Sequence, residues 1–230
     1  EDYEGACSMK KRELAIYNKA DVVLAVTEDD KKVLLKENPR YSVEVIPNIH
    51  PVTEKRITFS HEATAALIFV GTFRHEPNVD AMLYFANEIW PKVKQRIPHA
   101  RLRIVGNAPP KEILALKSES VEVTGYVEST LPYLQASSIS IAPLRFGAGM
   151  KGKIGEAMAV GLPVVTTSIG IEGMGLSPGD NVLLADNADD FARCILTLVE
   201  DKRLYDRIAS NGLKFIMRNY SEEIVMERIG

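Results

Sequence analysis

The chain has 230 residues, 46% of them hydrophobic and 26% charged, the usage of a compact globular fold rather than of a disordered, collagen-like or low-complexity polymer. Lys and Arg number 28 against 31 Asp and Glu, a formal charge of −3. That excludes the basic field that nucleic acid or an anionic membrane needs and leaves small molecules as the expected partners.

Two cysteines, Cys7 and Cys194, do not make a disulfide framework and fit a reducing, cytoplasmic setting. The start, Glu1-Asp2-Tyr3-Glu4, has no signal pattern, and no apolar run approaches the roughly 18 residues of a membrane span. The missing initiating Met is what a fragment or a processed piece would show. A chain of this length buries roughly 70% of its unfolded surface, enough for one α/β domain and a piece of another.

In chain order, a helix through Leu14 and Tyr17 precedes a strand at Val22–Val26, and Thr27 N-caps a charged helix. Val43–Ile46 then forms a second strand that ends at Pro47-Asn48. Two strands cannot bury both faces of a parallel sheet, so residues 1–50 read as the remnant of a preceding domain. Residues 51–63, with Pro51, Lys55, Arg56, His61 and Glu62, read as a linker, and residues 64–230 as a complete domain. There the expected strands are Leu67–Val70, Leu102–Val105, Val121–Val123, Ile139–Ala142, Pro163–Thr166 and Val182–Leu184, alternating with helical stretches. That alternation predicts an α/β fold with a doubly wound parallel sheet. After Gly71-Thr72-Phe73, the residues Val79, Met82, Leu83, Ala86, Ile89, Trp90, Val93 and Ile97 fall on one helical face, which makes Trp90 a core residue rather than a sugar platform. Met82, Met158 and Met217 read as gap fillers. Two amphipathic helices, Asp189–Glu200 and Arg203–Asn219, close the domain.

The richest segment is Ser138–Thr167, SISIAPLRFGAGMKGKIGEAMAVGLPVVTT: strand, glycine-rich turn, helix, strand. Glycines let backbone N–H groups approach an anion, the helix N-terminus adds its positive end, and Lys151 and Lys153 supply countercharge. Gly147 to Gly152 spells G-x-G-x-x-G, with Glu172 twenty residues beyond the last glycine, so an NAD-binding Rossmann domain is one alternative. Against it, the turn does not follow the domain's first strand, and Glu172 lies beyond a loop rather than at a strand end. Glu156 gives the other reading: a carboxylate on the helix after the turn accepts from two ribose hydroxyls while the turn holds a diphosphate. Simple complementing of the helix dipole would also place an acid there.

Leu67 to Tyr220 resembles the nucleotide-sugar-binding half of family 4 glycosyltransferases, which have the two-domain GT-B fold. The resemblance rests on VGTFRHEPNVDAMLYF, LRIVGNAPP, VTGYV, APLRFGAGMKGKIGEAMAVGLPVVTT and GIEG, present in that order. Residues 1–50, ending VEVIPNIH, resemble the end of the family's acceptor-binding domain. The resemblance implies retaining, metal-independent transfer of a sugar from a nucleotide-diphosphate sugar, the sugar or lipid-linked acceptor being held mainly by the other domain. No further cofactor is implied. Glu156 matches the second glutamate of the family's E-x7-E motif, whereas Ala148 stands where the first belongs. The subset with a GAG-type turn shares that departure, and there the amides of Gly147, Ala148, Gly149 and Met150 and the amine of Lys153 take over donor contacts. The family's diphosphate-binding Arg and Lys correspond to Thr72 and Pro77, so Arg74 and His75, in the loop with Gly71, Thr72 and Phe73, are the substitute cations. Gly125, Tyr126 and Val127 are the expected neighbours of the base.

Other chemistries lack their signatures. Four histidines, His50, His61, His75 and His99, form no i, i+4 pair, and neither a G-x-S-x-G elbow nor a P-loop occurs. Two further alternatives remain: a nucleotide-binding module that is not catalytic alone, and a nucleotide-sugar epimerase, whose acid and base the sequence does not locate.

Overall fold

The computed structural model describes residues 3–52 and 65–229. The first stretch is a small unit of α1 (Tyr3–Tyr17), β1 (Val23–Ala25), α2 (Glu28–Glu37) and β2 (Val43–Val45). The two strands pair in parallel, Val23 opposite Val43 and Ala25 opposite Val45. As the sequence predicts, Thr27 caps α2, its Oγ1 accepting the Asp30 N–H at 3.0 Å. Val23, Ala25 and Val43 bury against Tyr17, Leu34, Leu35 and Tyr41, while Leu24 stays 62% exposed on the other face. Most of the expected linker, from residue 53 onward, and the expected domain start at residue 64 lie outside the described residues.

The second stretch contains β3 (Ala66–Val70), α3 (Glu76–Tyr84), α4 (Trp90–Arg96), β4 (Arg101–Val105), α5 (Lys111–Leu114), β5 (Val121–Gly125), α6 (Leu131–Gln135) and β6 (Ile139–Ala142). It continues with α7 (Gly152–Ala159), β7 (Val164–Thr166), α8 (Ser168–Ile171), β8 (Leu183–Leu184), α9 (Ala188–Glu200), α10 (Lys202–Asn219) and α11 (Glu222–Ile229). Six strands form one parallel sheet in the order β5-β4-β3-β6-β7-β8, the doubly wound arrangement predicted from the alternating pattern. Alternation along β3 feeds two helical layers. Leu67 and Phe69 join the core with Phe85, Ile89, Phe191 and Ile195, and Ile68 joins Ile154, Met158 and Ile216 on the opposite face.

Three expectations are corrected. The single amphipathic helix from Val79 to Ile97 is broken by a π-turn at Phe85–Ile89, where the Trp90 N–H reaches back to the Phe85 carbonyl. Pro91 has no N–H to continue the regular ladder, and the extra residue turns Phe85 fully inward while Ala86 is only half-buried. Trp90 is buried against Phe85, as expected for a core residue. Met217 is exposed on α10 and fills no gap. A third closing helix, α11, follows the two that the amphipathic pattern revealed.

The core layer is tied to the sheet by Tyr205, whose hydroxyl donates to the Ser138 carbonyl at 2.8 Å; burial pushes this phenol well above its usual range. Ser138 Oγ in turn accepts from the Ala66 N–H at 2.9 Å where β3 meets β6. Tyr205→Phe leaves a buried carbonyl unpaired and is expected to cost about 1–2 kcal/mol, a fall in Tm of roughly 3–6 °C. Thermal unfolding followed by circular dichroism checks this, and an unchanged Tm would show that the bond contributes nothing.

Candidate active site at the sheet's carboxyl edge

Neighbouring strands β3 and β6 send their connections to opposite sides of the sheet, and ligands bind open parallel sheets in the crevice beyond such a pair. Three loops are stitched together there. The Gly71 N–H donates to the Val105 carbonyl (2.9 Å), the Phe73 N–H to the Asn107 carbonyl (2.9 Å), and the Gly106 N–H to the Gly125 carbonyl (3.2 Å). The approach is so close that a Cβ at Gly106 would lie 1.8 Å from the Gly71 carbonyl oxygen, so no larger residue fits. Asn107 acts here through its backbone, as a turn residue. Tyr126 is 73% exposed at this edge rather than packed into the core.

The glycine-rich turn follows β6. Thr167 Oγ1 donates to the Leu144 carbonyl at 2.5 Å and Thr166 Oγ1 to the Ala142 carbonyl at 2.8 Å, fixing the strand exit. Next, the Arg145 guanidinium grips the Asp80 carboxylate on α3, Nε to Oδ2 at 2.9 Å with a second contact beside it. Its carbon lies 4.7 Å over the Tyr84 ring. Gly147 has φ +119° and sits where a Cβ would press on Pro77 at 3.1 Å. Lys151 is buried and folds back into its own turn, donating to the carbonyls of Gly147 (3.1 Å) and Gly149 (2.6 Å). Burial lowers its pKa, while Glu172 nearby acts in the opposite sense. The Lys151 amine, expected from the sequence to supply countercharge to a ligand, also shapes the turn itself.

Helix α7 begins at Gly152, just beyond the glycine-rich turn, with no side-chain cap, and such a helix start carries unsatisfied amides and a partial positive charge. Lys153 in that first turn donates to Asn78 Oδ1 and stands 4.6 Å over the Phe69 ring. Burial, and then the charge of Lys151, lower its pKa to about 8. Glu156 accepts a hydrogen bond from Thr130 Oγ1, at the start of α6.

The predicted residues therefore group unevenly. The loop of Gly71, Thr72 and Phe73 is linked to Lys153 through Asn78 and to Gly147 through Pro77, and Glu156 is bonded to Thr130, which lies in the chain just beyond Gly125, Tyr126 and Val127. Arg74 and His75 are exposed in the loop leading into α3, and among the described residues neither side chain forms a hydrogen bond or ion pair. Sequence reasoning missed Asn78, Thr130 and the Arg145–Asp80 pair. Asn78 sits in HEPNVD, where an Asn reads as a helix-start residue, and the others pair across long sequence separations that carry no local pattern. The G-x-G-x-x-G turn follows β6, the fourth strand of the large sheet, and Glu172 ends α8 facing Lys151, neither of which suits a dinucleotide ribose. Among the described residues no three His, Cys, Asp or Glu gather as metal ligands, and no helix is long and apolar enough to cross a membrane.

The assembled edge can hold a dianion at the turn and a diol at Glu156. The exposed Arg145–Asp80 pair anchors the turn to α3, so Arg145→Ala is expected to cost at most about 1 kcal/mol of global stability. Amide exchange at Gly147 and Gly149 should nevertheless speed up several-fold. Hydrogen–deuterium exchange with mass spectrometry reads both, and unchanged protection of the turn would refute the anchoring role.

Comparison with known proteins places this architecture. A family model described as glycosyl transferases group 1 matches residues 64–201. A Klebsiella pneumoniae protein described as an uncharacterized 44.6 kDa protein in the cps region is 28% identical over 193 residues, covering 80% of this chain and 49% of its own length. Among solved structures, a TarM variant from S. aureus, in complex with Fondaparinux, alpha-GlcNAc-glycerol and UDP, has a TM-score of 0.79 at 20% identity over 93% of this chain and 44% of its own. Anabaena HepE with UDP and glucose gives 0.73 at 17% identity, over 91% of this chain and 62% of its own. The C-terminal domain of the group 1 family protein LpcC from Francisella tularensis gives 0.59 at 17% identity, over 76% of this chain and 97% of its own. At these identities the structural likeness is one of fold, and it agrees with the GT-B half expected from the sequence. The chain spans about half the length of the curated relative it matches.

Proposed function

The chain belongs to the glycosyl transferases group 1 family, and from that premise we propose that it forms the donor half of an enzyme moving a sugar from a nucleotide-diphosphate sugar to an acceptor. The observation that carries the reading is the crevice beyond β3 and β6. Helix α7, which follows β6 there, starts without a side-chain cap and carries Lys153, with no carboxylate partner among the described residues, and Glu156 within its first turns.

In this reading the turn amides and the Lys153 ammonium hold the diphosphate and stabilise the charge that grows on it as the glycosidic bond breaks. Those groups supply the compensation that a divalent ion supplies in other transferases, and the transfer runs without a metal. Glu156 accepts from the ribose hydroxyls, leaving Thr130 to orient the carboxylate. Gly125, Tyr126 and Val127 border the base. Arg74, unpaired and exposed, swings onto the diphosphate from the β3 loop. Departure of the leaving group on the face attacked by the acceptor gives retention, as the family resemblance implies. The acceptor is a sugar or lipid-linked sugar bound mainly by the partner domain of a GT-B cleft, and closure of that cleft excludes water, so this chain alone binds donor without turning it over. The two free cysteines suit a reducing, cytoplasmic location.

Thermal unfolding with UDP, GDP, ADP, dTDP and NAD in turn tests the reading. A matched nucleoside diphosphate at 100 times its Kd stabilises by about 2.7 kcal/mol, a rise of roughly 5–11 °C, and Glu156→Ala should remove most of it. UDP is the first probe, because TarM and HepE are both described with UDP. A shift with NAD alone would overturn the transferase reading and restore the dinucleotide one.

The same site has a defined pH dependence. Lys153 is charged below about 8 in the free chain, and a bound diphosphate favours its charged form. Affinity is therefore level below about pH 8 and falls as pH rises above it, by up to tenfold per pH unit until the bound form also deprotonates. Calorimetric titration with UDP from pH 6.5 to 9.5 measures the slope, and Lys153→Met should abolish it. An unchanged slope in that variant would remove Lys153 from the site.

A further inference from the structure

Lys153 has a long, mobile stem carrying a point charge, and the structure holds that charge by one unusual arrangement. Asn78, only 7% exposed, lies under the β3 loop at the start of α3. Its Nδ2 donates to the Thr72 carbonyl at 2.7 Å, so its carboxamide can face only one way, with Oδ1 turned to the Lys153 ammonium. The backbone makes room for it: a Cβ at Gly71 would come within 2.9 Å of Asn78 Nδ2. The Phe69 ring covers a further side of the ammonium. One of its three donors is thus taken by Oδ1 and one side by an aromatic face, and the remaining N–H groups have no partner among the described residues.

We infer that Asn78 is the positioning residue that aims the Lys153 ammonium at the donor diphosphate and ties that aim to the Thr72 loop; the inference rests on the donor-binding reading above. The neutrality of the amide is central to it. A carboxylate in the same place would hold the ammonium equally well but cancel its charge, and the site would lose its attraction for an anion. An amide accepts the hydrogen bond and leaves the charge in place, while removing rotamer freedom that Lys153 would otherwise lose on binding. The charged group acting on Lys153 is Lys151, across the turn, with Glu172 facing Lys151 in its turn; Asn78 and Phe69 bring no titratable group.

Two measurements test this. In the Asn78→Asp chain, the Lys153 midpoint read by NMR of 13C,15N-lysine side chains, assigned with Lys153→Arg, is expected to rise from its value near 8 by about one unit or more. In a double-mutant cycle on UDP affinity, Asn78→Ala should weaken binding about tenfold in the wild-type background and less than about twofold in Lys153→Met. If Asn78→Asp does not fold, the cycle alone decides. A Lys153 midpoint unmoved by Asn78→Asp, or equal weakening by Asn78→Ala in both backgrounds, overturns the proposal, because Asn78 then acts through the loop and not through Lys153. A wild-type chain that binds no nucleoside diphosphate overturns the donor reading and the proposal with it, whereas UDP binding with an unmoved midpoint overturns the role of Asn78 alone.

Discussion

The site depends on one backbone contact, the approach of Gly106 to the Gly71 carbonyl, where not even a methyl group fits. Parallel strands β3 and β4 run in register to Val70 and Val105, and only glycine lets the chains remain that close beyond their last pair. The closeness allows the Gly71 N–H to reach Val105 and the Phe73 N–H to reach Asn107, and so sets the height of the Thr72 carbonyl. Asn78 hangs from that carbonyl, and Lys153 from Asn78. A charge on α7 is thereby placed by a glycine on the far side of β3.

Two lysines near one helix start would repel each other and be costly to bury, and they divide the work. Lys151 donates to the carbonyls of Gly147 and Gly149, so its charge is spent inside the turn on two backbone oxygens. Its charge is partly met by Glu172. Lys153 has no carboxylate partner among the described residues, and burial, then the charge of Lys151, lowers its pKa to about 8. A lysine whose folded pKa lies below its unfolded one destabilises the fold at neutral pH. The fold regains that stability as pH rises from about 8 toward the ordinary lysine range. In the proposed reading, a diphosphate beside Lys153 relieves the same penalty without a change of pH.

Much of this was legible in the sequence, because the strands are short apolar runs between Gly, Pro and Asn and the glycine-rich turn is written in one contiguous block. Leu67, Phe69 and Ile68 alternate as a strand buried on both faces must, and α9 and α10 carry clear amphipathic stripes. What the sequence hid has physical causes. Pro91 follows a good helical stripe, and nothing local says whether the helix will kink, end or insert a π-turn; packing of Phe85 against Phe191 and Trp90 decides it. Arg145–Asp80, Thr130–Glu156 and Asn78–Lys153 are contacts across the sheet edge, invisible to periodicity. Lys151 and Lys153 lie two residues apart and are chemically alike, yet one donates to carbonyls of its own turn and the other to Asn78 on α3.

The small unit meets the large sheet on the same helix that carries the site. His50, leaving β2, lies with its ring against Gly155 of α7, where any Cβ would collide with the imidazole. Its N–H donates to the Tyr220 carbonyl at 2.9 Å, and the Tyr220 hydroxyl donates to the Met174 carbonyl at 2.8 Å. His50 Nε2 finds no hydrogen-bond partner among the described residues, and burial lowers the ring's pKa, which keeps it neutral. A second contact, Thr27 against Gly173, lies beside a cleft bordered by Glu28, Asp29, Phe215 and Tyr220. An unpaired buried imidazole nitrogen costs about 1–3 kcal/mol, and a glycine inside α7 about another 1 kcal/mol relative to alanine. Both costs fall on one contact, between Lys153 and Glu156 along the helix. The small unit is thus seated on the segment of α7 between Lys153 and Glu156, so its position and the alignment of those two side chains are linked through one helix.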